Sequence, residues 1–477
     1  MKRLFVCIIA AIVIALPLVG CDKGELGDGL TEYTIAAVLD GENRTVSATM
    51  SVDYVNDTEC DLTELAFHLY GNAYRENAAF SPISAADISV AYPNGLSYGH
   101  LTVSSVTDAG GAALSFAVDE NDVLTVAIST LEPTKRTTVV INFELALAEV
   151  RHRLGYYDGK FNLGNWYPVL CQFEGGGWDK HPYYANGDPF DSAVANYNVR
   201  LEYPAHLVAA STAGEGDNGV LEACARSVRD FAVCVGDFKT KSVTENGVKI
   251  TWYSESGDDY TQVAKDALST YNELFGEYPY STLAVVKTSF LNGGMEYPGL
   301  VYVSDALNDQ MTKEVAAHEI AHQWWYAVVG NDQVDEAWLD EGLTEYATTI
   351  FYEKNESYGV KVSDRIADSL TAYMLYCELY VGNRSQTAMD KCVGDYANNL
   401  EYTYMTYVKG QLLFDCLRTL IGDEAFFDGL RYYYDTYKFC VATKADLIGA
   451  FEQYTDYNLT SYVDSWVNGT ALLYSVN

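Results

Sequence analysis

The period of the hydrophobic residues changes near residue 256, and that change limits the fold more than any other feature of the chain. Upstream of it, alternate residues are apolar. Over 45–54, Val46, Ala48, Met50, Val52 and Tyr54 share one face, the two-residue period of a strand with one side buried. Runs of the same kind occur at 33–39, 124–128, 138–145, 199–203 and 231–238, and Asn246-Gly247 between two such runs is a hairpin signal. Residues 155–191, rich in Gly, Trp, Tyr and Pro, interrupt the pattern as a long excursion. Downstream, Val263, Ala267, Tyr271 and Leu274 fall at helical spacing, closed by Gly276 and Pro279. A strand at 283–286 follows, then helices from residue 312 onwards, broken at Gly330-Asn331, Gly394, Gly422-Asp423 and Thr443. Strands first and helices second predict an α+β chain: an antiparallel β domain over 32–256 and a mostly helical domain over 257–477.

Ahead of both domains, Lys2 and Arg3 precede an apolar run over 4–16 that is too short to span a bilayer. Leu18-Val19-Gly20-Cys21 then resembles a bacterial lipobox. The expectation is a lipoprotein signal peptide over 1–20, acylation of Cys21, and a flexible polar stalk over 21–31. Such a chain is exported and held by lipid at the outer face of a bacterial cell membrane. Within its 477 residues, 49% hydrophobic and 20% charged, the balance is that of a globular protein. A formal charge of −36 excludes nucleic acid as a partner, because binding it requires clustered Lys and Arg. What remains is either a solubilising acidic surface or a field that draws in cationic peptides. Apart from Cys7 and Cys21, eight cysteines remain, at no metal-binding spacing; Cys224 and Cys234 flank a strand and form a candidate disulfide, with buried free thiols as the alternative.

The chemistry concentrates in two helical segments. His318-Glu319-Ile320-Ala321-His322 puts two imidazoles at i and i+4, one turn apart on one face, where both can hold one ion at about 2 Å. Glu319, next to the first imidazole, reaches a water on that ion rather than the ion itself. The segment Trp338-Leu339-Asp340-Glu341-Gly342 opens a second helix, which a turn around Gly330 would bring back beside the first. Glu341 then completes a two-His, one-Glu set with an open fourth position, the catalytic type of zinc site. Glu345, one turn further on, either orients one of the histidines or is a surface carboxylate. Upstream, Gly293-Gly294-Met295-Glu296 holds a single carboxylate beside two glycines that allow close approach of an extended ligand.

Taken together these residues resemble the aminopeptidase N-like zinc metallopeptidases, the gluzincin aminopeptidases. The likeness rests on H-E-x-x-H, eighteen residues and a Glu, here His318, His322 and Glu341. It rests also on a G-x-M-E-N segment, here Gly293-Gly294-Met295-Glu296-Tyr297 with Tyr in place of Asn. A third element, Y-x-K-G, is Tyr407-Val408-Lys409-Gly410, with Tyr402 and Tyr404 as near rivals for its tyrosine. The resemblance covers most of 32–477 and implies a thermolysin-like catalytic domain in a minimal two-domain form. It implies one Zn²⁺ per chain on His318, His322 and Glu341, Glu319 as general base, and Tyr407 as donor to the oxyanion. Glu296, with Gly293, Gly294 and Met295, would hold the free amino group of a peptide, and Gln172 or Glu174 would assist from the N-terminal domain. The function implied is removal of the first residue from peptides with a free N-terminus; no obligate protein partner is implied. The competing expectations are an endopeptidase or carboxypeptidase on the same zinc core, and a non-catalytic surface lipoprotein that binds peptides.

Overall fold

The computed structural model describes residues 27–382, 387–471 and 473; the leader over 1–20 and Cys21 lie outside them. Glu32–Asp40 and Thr45–Val55 form a hairpin whose alternate residues, from Tyr33 to Leu39 and from Val46 to Tyr54, turn inward. Asp40 shapes its turn, with Oδ1 accepting from the backbone N–H of Glu42 and of Asn43 at 2.9 Å each. The hairpin sits in a six-stranded sheet ordered Val220–Val228, Ala195–Glu202, Glu32–Asp40, Thr45–Val55, Arg136–Ala146, His100–Asp108. The sheet is not wholly antiparallel, as the residue pattern suggested: Glu32–Asp40 runs parallel to Ala195–Glu202. These two strands are joined by a long crossover rather than a turn, and alternation of residues along a strand does not report the direction of its neighbour.

Two four-stranded sheets and the small pair Phe173–Glu174 with Gly177–Trp178 complete this part of the molecule. One is built from Val169–Leu170, Leu62–His68, Val123–Leu131 and Phe116–Val118, the other from Val208–Ser211, Val233–Gly236, Lys160–Leu163 and Leu154–Tyr157. The excursion after Gly155 therefore contributes the buried Trp166 and Tyr167 and short strands as far as Trp178, and runs irregularly from there to Asp191. Cys234 is a buried free thiol, so it forms no disulfide with Cys224. The two cysteines do not flank one strand: Cys224 lies within Val220–Val228 of the six-stranded sheet and Cys234 within Val233–Gly236 of a four-stranded one.

The hairpin Lys239–Glu245 and Val248–Ser254, with Asn246 and Gly247 both at positive φ, lies wholly on the N-terminal side of the boundary expected at 256. It shares a five-stranded sheet with Thr282–Thr288, Leu300–Ser304 and Gly294–Met295. Val248–Ser254 pairs in parallel with Thr282–Thr288, and the helix Thr261–Phe275 forms the crossover. Gly294–Met295 is the outer strand, antiparallel to Leu300–Ser304. The remaining chain is helical. The motif helix Asp309–Ala321 starts at Asn308, whose side chain accepts from Met311 N–H at 3.0 Å. The return helix Trp338–Lys354 packs against it and against Gly410–Ile421. No helix among the described residues is long and apolar enough to cross a membrane.

Candidate metal centre

His318 and His322 leave the motif helix one turn apart, and the return helix brings Glu341 to them. Glu341 Oε2 lies 3.5 Å from His318 Nε2 and 3.3 Å from His322 Nε2. All three residues are buried. The other ring nitrogens are occupied. His318 Nδ1 is 3.1 Å from Glu345 Oε2; His322 Nδ1 is 3.0 Å from the Trp325 carbonyl and 3.1 Å from Thr344 Oγ1. A carboxylate and a carbonyl only accept hydrogen bonds, so each Nδ1 carries the proton and each Nε2 turns a lone pair inward. Glu341 Oε2 itself has no hydrogen-bond partner.

Three lone-pair atoms converging in a buried space repel one another unless a cation lies between them. Zinc is the metal this group fits. Tetrahedral bonds of about 2.1 Å separate neighbouring donors by about 3.4 Å, the spacing found here. Glu345 is no surface group: it holds His318 and is itself paired with Arg365, which also pairs with Glu314. Burial lowers the His318 pKa, but the carboxylates of Glu341 and Glu345 outweigh it and raise it, so a proton or a metal ion on Nε2 answers the same negative field. The charge of this pocket thus favours a positive centre even before an ion is considered.

A cavity of about 470 Å³ opens in front of the three donors. Gly293, Gly294 and Glu296 line it from the outer strand; His318, Glu319 and His322 from the motif helix; Glu341 and Glu345 from the return helix. Glu319 is buried with Oε2 unpartnered, and burial pushes its carboxyl up to about 7. Gly294 is required by Glu319: a Cβ there would overlap its carboxyl group. Glu296 is buried too, and its Oε1 accepts from Gln333 Nε2 at 2.9 Å. The same amide donates to Asp340 Oδ2 at 2.8 Å. Burial, then the charge of Asp188, pushes the Glu296 carboxyl well above its usual range. Among the described residues no Lys or Arg forms an ion pair with Glu296. Gln323, next after His322, accepts from Gly299 N–H at 2.8 Å and donates to the Tyr297 carbonyl at 3.2 Å, so the end of the motif helix holds the Glu296 segment in place.

The cavity separates the tyrosine candidates. Tyr407 stacks on His318, with ring centroids 5.8 Å apart, and its hydroxyl donates to Glu341 Oε1 at 2.5 Å. Tyr402 also lines the cavity, edge-on to Tyr407, whereas Tyr404 stacks on Tyr376 and does not line it. Two expectations change. Met295 is buried beneath the outer strand and is not among the lining residues, because Gly294 and Met295 face opposite sides. Tyr297 points into the core of the N-terminal domain, over Gly164 and against Tyr302, so the Tyr in place of Asn does not enter the cleft.

A family model described as the peptidase family M1 domain matches residues 260–466. Those residues hold the zinc-fitting group and the Glu319 and Tyr407 side chains. They form an M1 peptidase domain of the aminopeptidase N-like, gluzincin type. Aminopeptidase N of Lactobacillus helveticus is 27% identical over half of the chain, and aminopeptidase M1-A of Oryza sativa 24% over 73% of it. The chain spans only 30% and 42% of the length of these two relatives. An M1 zinc metallopeptidase from Deinococcus radiodurans shares the fold over 94% of this chain and 96% of its own, at a TM-score of 0.65 and 16% identity.

The M1 domain does not form the cleft alone. Pro82, Ile83, Ser84 and Asp87 close one side from the N-terminal domain, and His152, Arg153, Gly187 and Asp188 another. Asp188 is buried, paired with Arg153 Nη1. Gln172 instead donates to Asp191 Oδ1 at 3.2 Å and lines a separate cavity; Glu174 lines neither. Asp188, Gln333 and Gln323 were not visible as site residues in the sequence. They come from irregular segments without a period, and only the length of the 155–191 excursion hinted at a role.

Proposed function

We propose that the chain is a zinc-dependent aminopeptidase that removes the first residue from peptides with a free N-terminus. The observation that carries this reading is Glu296: a carboxylate buried at the wall of the cleft, beside Asp188, held by an amide and, among the described residues, in no ion pair with a Lys or Arg. Such a group is costly unless a positive partner arrives, and the α-ammonium of a peptide supplies one. Held there, the ammonium leaves only the first peptide bond within reach of the three donors. Asp188, rather than Gln172 or Glu174, is the N-terminal domain's contribution to this charge.

His318, His322 and Glu341 hold one zinc ion, which when bound supplies a Lewis acid that polarises the scissile carbonyl and acidifies water. Glu319, with its carboxyl near 7, takes the proton from the attacking water and returns it to the leaving amine. Tyr407 donates its hydroxyl to the oxyanion that forms at the attacked carbon. Gly293 and Gly294 leave the outer strand open to an extended substrate. The reading further includes export, acylation of Cys21 and tethering at the outer face of a bacterial membrane, supported by the lipobox-like Leu18-Val19-Gly20-Cys21.

Matched peptides with free and acetylated N-termini test the proposal. Mass spectrometry of the digests should find stepwise loss of single residues from the free peptides and little cleavage of the acetylated ones. Glu296→Gln should shrink that preference. Equal cleavage of both, or cuts far from the N-terminus, would replace this reading with an endopeptidase on the same zinc core.

A further inference from the structure

A buried guanidinium joins the N-terminal domain to the segment that follows the second histidine. Arg229, 2% exposed, lies next after the strand Val220–Val228, and among the described residues it forms no ion pair. Three backbone carbonyls take its charge instead. Nε donates to Tyr326 O at 2.7 Å, Nη1 to Ser192 O at 3.0 Å, and Nη2 to Cys440 O. Ser192 belongs to the N-terminal domain; Tyr326 and Cys440 belong to the M1 domain. Gly330 closes the fourth side, where a Cβ would overlap the guanidinium. Asp230 ignores its neighbour's charge and accepts from the Tyr326 hydroxyl at 3.3 Å.

The bond to Tyr326 bears on the metal centre. Tyr326 has φ 137°, a backbone conformation that a residue with a Cβ adopts only when its surroundings impose it. That angle sets the direction of the Trp325 carbonyl relative to the Tyr326 carbonyl. Arg229 holds the second of these, and the first accepts the Nδ1–H of His322 at 3.0 Å. The chain between them is short and tightly bonded: Ala327 N–H donates to His322 O at 3.0 Å, and Tyr326 N–H to Val329 O at 2.8 Å.

We infer that Arg229 is a positioning residue for the metal centre. From the N-terminal domain it holds the Tyr326 carbonyl, and through that residue's constrained backbone the Trp325 carbonyl that selects the tautomer and ring orientation of His322, so docking of the two domains and assembly of the zinc site are one event. The inference rests on the proposal that His322 is a zinc ligand. It goes further, because it makes the β domain part of the metal site.

The test uses the full chain and two readouts besides activity: zinc affinity by competition with a chromophoric chelator, and the visible spectrum of the cobalt-substituted protein. Partners that orient a ligand histidine contribute about 10–100-fold to metal affinity, so Arg229→Met should weaken zinc by that factor and alter the cobalt bands. Arg229→Lys, which can still reach one carbonyl, should recover part of the loss. A folded Arg229→Met protein with wild-type zinc affinity and an unchanged cobalt spectrum overturns the inference and leaves Arg229 with a merely structural role. If Arg229→Met does not fold, Gly330→Ala displaces the guanidinium without deleting it, and the same two readouts decide. Failure of the wild-type chain to bind zinc would instead overturn the functional reading itself.

Discussion

Glu319 and Glu341 are both buried carboxylates beside the same two histidines, yet their surroundings give them different work. Glu341 Oε2 closes the donor triangle, while Glu319 Oε2 is unpartnered and its carboxyl is lifted to about 7. Glu319→Gln should therefore keep its zinc, by metal analysis after dialysis, while kcat falls by about 10²–10⁴. Glu341→Ala should lose most of its zinc in the same assay, and unchanged content would move the third ligand elsewhere. Tyr407→Phe removes a donor that matters mainly in the transition state, so kcat should drop about a hundredfold with KM nearly constant. A similar drop in Tyr402→Phe with Tyr407→Phe unaffected would transfer the role. The three donors were legible in the sequence because i and i+4 on a helix face the same way, and because the spacing to Glu341 allows one return. Gln333, Asp188 and Arg229 were not, since each acts from a loop or strand end whose place is set only by the tertiary fold.

At the scale of elements, the return helix and the helix Gly410–Ile421 touch backbone to backbone. A Cβ built on Gly410 would stand 2.6 Å from the Gly342 Cα, and one on Gly342 would stand 3.2 Å from the Thr406 carbonyl. This crossing brings Tyr407, on the π-helical turn Tyr404–Lys409, onto Glu341. Lys409 anchors the turn, its buried Nζ donating to the Thr387 carbonyl at 2.6 Å and the Trp466 carbonyl at 2.5 Å. Gly410→Ala should push the helices apart, lowering stability by about 1–3 kcal/mol in a denaturant titration. It should also lower kcat in the folded fraction, because Tyr407 moves with the turn. A variant as stable and active as wild type would remove the crossing from the account. The Lys409-Gly410 pair was visible in the sequence only through resemblance; nothing in residue spacing announces a π-helical turn. The hairpin at Asn246-Gly247 was visible through its turn chemistry, but its sheet partner was not, because local turn signals say nothing about parallel pairing.

Over the whole molecule, several acids away from the metal centre are buried or half-buried without a full counter-charge. Burial raises Asp191 to about 8, with Asp332 and Glu174 adding to the shift and Gln172 and His181 opposing it. Burial likewise raises Asp230 to about 7 and Glu336 to about 7. The unfolded chain releases these protons near pH 4, the folded one only near 7–8. Between those values the folded state holds more protons, so their contribution to stability is full near pH 4 and is lost as pH rises through 7–8. Asp191→Asn should therefore flatten the decline in Tm between pH 6 and 8.5; an unaltered slope would show that Asp191 titrates normally.

The six-stranded sheet carries a further consequence, for the order in which the chain matures. Glu32–Asp40 is an interior strand, yet one of its two neighbours, Ala195–Glu202, follows more than 150 residues later. A growing chain can close the first hairpin at once but must leave the other edge of that strand open until residue 202 has been made. Arg229 comes later still, and the segment carrying His318, His322 and Glu341 after that. Folding from the N-terminus thus builds the β platform before any ligand exists. On the proposed function, hydrolytic competence then comes late, and a nascent or truncated chain that ends before residue 341 lacks the donor set that would cut its neighbours.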